Sequence, residues 1–97
     1  MPTYVSLLTW TEQGEKHVKE TRKREAAFAK TAQKLGIKVL QAYWTLGSYD
    51  GVLVFEAADE ETATAAALSL GALGNVRTQT MRAFTVNEID KIVGKMT

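Results

Sequence analysis

The chain has no cysteine, one histidine and one proline, and each scarcity removes a class of chemistry. Without cysteine there is no disulfide framework and no thiolate metal site, and His17 alone cannot build a histidine cluster. Neither sign of charge is in excess: 12 Lys and Arg stand against 11 Asp and Glu, for a formal net charge of +1. No overall field exists to hold nucleic acid or an anionic membrane, so neither is an expected partner. No apolar run approaches the roughly 18 residues of a membrane span, and Met1-Pro2-Thr3-Tyr4 is not a basic region leading into an apolar stretch. No signal peptide is expected, and a cytoplasmic location is. Repeats, linkers and low-complexity segments are missing too. At 97 residues there is room for one modest core, and residues 1–97 read as one domain. No cofactor is expected.

What is present is a clear succession of elements. Tyr4 to Trp10 is β-prone and mostly apolar, and Thr11 is placed to cap a following helix. Glu12 to Leu35 then takes a helical period, with Val18, Arg22, Glu25, Ala29 and Ala32 in one row and Phe28, Ala32 and Leu35 continuing it. Glu12/Lys16, Glu15/Lys19 and Glu20/Arg24 fall at i,i+4 in the favourable order. Unbroken, such a helix runs about 36 Å against about 23 Å for the first strand, so a kink or break is expected near Glu20 to Lys23. Gly36 serves as a left-handed cap before a second strand over Ile37 to Leu46. Gly51 to Ala57 makes a third strand. Asp59 caps a helix with Glu60 and Glu61 in its first turn and the small row Ala63, Ala66, Ala67, Leu70 and Leu73 on one face. Gly71 and Gly74 loosen and end that helix, and Val76 to Phe84 is the fourth strand. Thr85 or Asn87 caps a short last helix carrying Ile89, Ile92, Val93 and Met96.

The order β-α-β-β-α-β with a C-terminal helix predicts an α+β, ferredoxin-like, four-stranded antiparallel sheet with its helices on one face. The opposite face should then be polar in a lone monomer. Strand parity says otherwise: Val5 and Leu7 oppose Tyr4, Leu8 and Trp10; Ile37, Val39 and Tyr43 oppose Leu40, Trp44 and Leu46; Val52 and Val54 oppose Leu53 and Phe55. Both faces are apolar and only one has helices of its own. A second copy covering the open face, giving a homodimeric α+β barrel, is the expected arrangement.

Gly47-Ser48-Tyr49-Asp50, set between two apolar strands, resembles the Gly-x-Tyr-Asp signature of the GYD domain family. The run from Leu70 through Gly74-Asn75-Val76-Arg77 to Phe84 is similar to that family's second characteristic block. The resemblance implies a bacterial or archaeal protein of the dimeric α+β barrel superfamily, and it implies no catalytic role. Gly51 departs from the pattern, where a larger apolar residue is expected; a glycine there loosens the strand start or admits a close approach.

The predicted topology brings the end of the first strand, the hairpin turn and the start of the fourth strand to one end of the sheet. Trp10, Tyr49, Asp50, Asn75 and Arg77 are therefore the candidate ligand-binding residues, with His17 a turn along the first helix. Each also has a plain structural job available. Asp50 can bond turn amides, Tyr49 can pack on the sheet or a partner, and His17 between Lys16 and Lys19 can be solvated. Trp10 and Trp44 can be core or interface anchors, while Arg77 and Arg82, an odd number of steps apart, point to opposite faces. Gly71-x-x-Gly74 lies at a helix C-terminus, the wrong dipole end for a phosphate. Three functions fit: a homodimeric module that binds a small organic ligand or regulates, a cofactor-independent enzyme of the same superfamily (monooxygenase- or isomerase-like), and a structural oligomerisation module. No Ser-His-Asp set supports the second.

Overall fold

Four β-prone segments pair as the order of elements requires. In the computed structural model, which describes residues 1–97, the strands are β1 (Thr3–Trp10), β2 (Lys38–Trp44), β3 (Gly51–Glu56) and β4 (Val76–Ala83), and the sheet order is β2-β3-β1-β4 with every pair antiparallel. The helices are α1 (Glu12–Lys16), α2 (Thr21–Lys34), α3 (Glu60–Ala72) and α4 (Val86–Val93). This is the ferredoxin-like α+β architecture.

The expected break in the first helix is present but falls earlier. Helix α1 ends at Lys16, Val18–Glu20 makes a 3₁₀ turn, and α2 restarts at Thr21. Interruption removes the i,i+4 ladder that a continuous helix would carry. The ion pairs that form are Arg22–Glu25 at 3.9 Å and Arg82–Glu88 at 3.1 Å. Arg24 instead turns back across the break and donates to the carbonyl oxygens of His17 at 2.8 Å and Gly14 at 3.4 Å.

Short polar side chains cap α1, α3 and α4, while α2, which restarts after the 3₁₀ turn, has no side-chain cap. Thr11 accepts from the Gly14 amide at 3.1 Å. Asp59 accepts from the Thr62 amide at 2.8 Å and the Thr62 hydroxyl at 2.7 Å. These bonds, the hydroxyl's foremost, hold the Asp59 carboxyl below its ordinary value. At α4 the choice between Thr85 and Asn87 resolves to Thr85, which forms a capping box with Glu88. Gly36 takes the left-handed conformation predicted for it, with φ +70°.

Strand β2 does not follow simple alternation. Val39 pairs with Phe55 and Gln41 with its neighbour Val54, so Leu40 is an extra residue in a β-bulge. The bulge changes the predicted faces. Val39, Ala42 and Trp44 share the helix side with Phe55, Leu53 and Gly51, while Gln41 and Tyr43 lie on the open side with Val54 and Val52.

The core lies toward one end of the sheet. Tyr4 and Phe55, paired across β1 and β3, stack at 5.5 Å, and Ala32, Ile37, Ala57, Ala63 and Ala66 close over them. Alanines let α2 and α3 approach the sheet closely there. Toward the other end both helices switch to larger residues, Phe28 on α2 and Leu70 and Leu73 on the α3 side, and the layers part. On the uncovered face Val5, Leu7, Val52 and Val54 are half-buried at most, and Tyr43 and Met81 are 55% and 46% exposed. Ile89, Ile92 and Val93 of α4 are also exposed.

Candidate functional site

The wider end of the sheet is built by a set of backbone ties between segments distant in sequence. Asp50 sits at the centre of one. Its carboxylate accepts from the Trp10 amide at 2.8 Å, its own amide donates to the Leu8 carbonyl at 2.8 Å, and its carbonyl accepts from the Thr45 amide at 2.9 Å. The hairpin turn is thereby fastened to the end of β1. Thr11 makes the second tie, its amide donating to the Asn75 carbonyl at 3.1 Å and its hydroxyl to the Gly74 carbonyl at 2.5 Å. Gln13 extends it by donating to the Leu73 carbonyl at 3.1 Å and to Asn75 Oδ1 at 2.9 Å. Gly14 is buried where α1 crosses this segment, and a Cβ there would lie 1.9 Å from the Asn75 carbonyl oxygen. Only a residue without a side chain permits that approach.

Between the parted helices and the sheet is a cavity of about 110 Å³. Its walls include both tryptophans, Trp10 and Trp44, with Phe28, Leu8, Leu53 and Leu70, and its polar rim includes Thr21, Arg24, Glu25, Asp50 and Asn75. The Arg24 guanidinium lies over the Trp10 ring at 5.7 Å, and the Trp44 indole N–H donates to the Thr21 hydroxyl at 3.0 Å. Gly51 forms part of the floor. A Cβ on it would stand 3.2 Å from the Tyr43 carbonyl oxygen and 3.7 Å from Leu8, so its departure from the family pattern coincides with a close backbone approach.

Of the six residues singled out from sequence, Trp10, Asp50 and Asn75 meet at this cavity. Tyr49 and Arg77 lie on the other side of the sheet. The Tyr49 hydroxyl donates to Gln79 Oε1 at 3.2 Å, and Gln79 is the register partner of Leu7 on the open face. Arg77 pairs with Thr9 on that same face, exposed and without an ion-pair partner, while Arg82 faces the helices beside Tyr4, as their opposite parity requires. His17 is exposed beyond the end of α1, with Nδ1 3.0 Å from the Gln13 carbonyl, and it does not line the cavity. Arg24, Phe28 and Trp44 are cavity residues that the candidate set lacks. Phe28 falls in the apolar helical row and Trp44 among the aromatic anchors, but Arg24 carries no local sign of its packing on Trp10. No three His, Asp or Glu side chains cluster to hold a metal ion.

A four-stranded antiparallel sheet with two helices on one face, and a hairpin turn fastened to β1, define a ferredoxin-like α+β protein with the GYD turn at its wider end. The chain belongs to the GYD domain family, whose model matches residues 4–93. It is 36% identical over 90 residues, covering 92% of this chain and 95% of the relative, to the glutamine synthetase and cystathionine beta-lyase binding protein of Thermus thermophilus. Its fold is similar to that in the crystal structure of TTHA0845, also from Thermus thermophilus, with a TM-score of 0.63 and 23% identity over 89% of this chain and 96% of that one.

Proposed function

We propose that this GYD protein is a homodimeric regulatory module that docks on metabolic enzymes, works as one domain over residues 1–97, and takes a small organic ligand as its signal. The observation that carries the reading is the uncovered apolar sheet face, where Leu7, Val52, Val54, Tyr43 and Met81 form a surface that water solvates poorly. Tyr49 reaches onto this face and not into the cavity, in keeping with a role in sealing two copies together. A two-fold pairing of such faces would cover both at once. The Thermus relative supports protein partners, because it is named for binding glutamine synthetase and cystathionine beta-lyase. No helix is long and apolar enough to cross a membrane; a cytoplasmic location is part of the proposal.

The test has two stages. Light scattering after size exclusion should give twice the chain mass at micromolar concentration, and immobilised protein should retain purified glutamine synthetase or cystathionine beta-lyase from the same organism. A folded monomer that retains neither enzyme would overturn the proposal.

A further inference from the structure

The cavity on the helix side has a chemistry of its own, and its size is the first restriction. At about 110 Å³ it is well below the roughly 300–1,000 Å³ of a nucleotide or drug-sized pocket and near the ~150 Å³ that accommodates benzene in an engineered protein cavity. One ring fits. The walls supply two indoles and a phenyl group, which favour a flat aromatic surface over an alkyl chain.

Charge at the rim restricts the ligand further. Arg24 already covers the Trp10 ring and donates to the His17 and Gly14 carbonyls, and Glu25 stands beside it with the opposite sign and pairs with Arg22. Asp50 differs. One of its oxygens holds the Trp10 amide, and the other has no partner in the chain. A carboxylate oxygen accepts and cannot donate, so its complement is an N–H or O–H group.

We propose that the cavity binds an uncharged single-ring aromatic molecule bearing one hydrogen-bond donor, its ring against Trp10 and Trp44 and its donor on Asp50. This deepens the small-molecule part of the functional reading and rests on it. Phenol is the probe. The chain has only two tryptophans and both line the cavity, so two indole N–H signals in a ¹H–¹⁵N correlation spectrum report occupancy directly.

Phenol should shift both signals saturably, with a dissociation constant of about 1 mM or tighter, within the range that so few heavy atoms allow. Toluene, which has the ring without the donor, should bind at least about fivefold more weakly, since a hydrogen bond to a charged acceptor is lost. Benzoate should not compete, because its carboxylate meets Asp50. Ala42→Phe, which grows a ring into the cavity from β2, should abolish the phenol shift while keeping a dispersed spectrum; if that variant does not fold, Leu70→Phe makes the same test from α3. Absence of a saturable phenol shift, equal affinity for toluene, or tighter binding of benzoate would overturn the inference. These readouts do not depend on dimerisation or on enzyme partners. A phenol response in a monomer that binds no enzyme rejects the docking proposal alone, and a dimer that binds enzyme without responding to phenol rejects this one alone.

Discussion

Asp50 and Trp10, far apart in sequence, are joined by a hydrogen bond from the Trp10 amide to the Asp50 carboxylate at 2.8 Å. The bond fixes the GYD turn to the last residue of β1 and sets one edge of the cavity. Asp50→Ala leaves the Trp10 amide without this acceptor, and a bond of this charged type at a half-exposed site contributes about 1–2 kcal/mol. Urea unfolding should show that loss for Ala and a clearly smaller one for Asn, whose amide oxygen still accepts. Equal losses in the two variants would mean that the bond is not what holds the turn.

Gly14→Ala should be disproportionately harmful for so small a change. The added methyl would lie 1.9 Å from the Asn75 carbonyl oxygen, which is backbone and cannot swing aside as a side chain would. Overpacking of this kind costs about 1–3 kcal/mol, and thermal unfolding followed by circular dichroism measures it. Gly71→Ala is the control, because nothing lies near its Cβ position. It should be neutral or slightly stabilising within α3.

Val54→Arg tests the open face without touching the cavity. Val54 lies on the uncovered side and does not line the space between sheet and helices. In a two-fold pair each substitution is present twice, and an unpaired buried charge costs about 3 kcal/mol or more per copy, weakening association roughly 100-fold per copy and on the order of 10⁴-fold for the pair. Light scattering should give monomer for the variant, and circular dichroism should show an unchanged fold.

Acid should weaken the fold through two exposed carboxylates. Asp59 is held below its ordinary value by the Thr62 hydroxyl and amide, and Glu88 by the Thr85 amide and then the Arg82 guanidinium. A carboxyl depressed in the folded state stabilises fully above its unfolded value, and that contribution is lost as pH falls through the lower folded one. The urea midpoint should therefore be flat from neutrality to about pH 5 and decline below about pH 4. The double variant Asp59→Asn, Glu88→Gln should decline less steeply between about pH 4 and about pH 2; an unchanged slope would place the acid sensitivity elsewhere.

Local signals carry much of this architecture. Thr11, Asp59 and Gly36 announce helix boundaries because caps act within one turn of chain, and alternation in β1 and β3 places Tyr4 and Phe55 opposite Val5 and Val54. The bulge at Leu40 is not legible, since one unpaired residue leaves no compositional trace yet moves Val39 and Tyr43 to different faces. Among the candidate site residues, Trp10, Asp50 and Asn75 are brought together by topology that the order of elements predicts. Arg77 goes to the far face because strand parity, and not proximity along the chain, decides the side of a sheet, while Tyr49, in the turn outside the strands, reaches that face through its bond to Gln79. Arg24 on Trp10 and Gly14 on Asn75 depend on how α1 and α2 are offset, which a periodic pattern does not encode.

The bulge has a meaning for how copies of this protein can meet. Strand β2 is an outer strand of the sheet, where unpaired backbone groups could recruit the next chain and the next without end. An extra residue at Leu40 interrupts the hydrogen-bonding repeat of that strand, and Lys38 adds a charge at its start. Growth sideways is discouraged while the broad apolar face remains available, so the proposed self-association would favour a closed pair over fibrils.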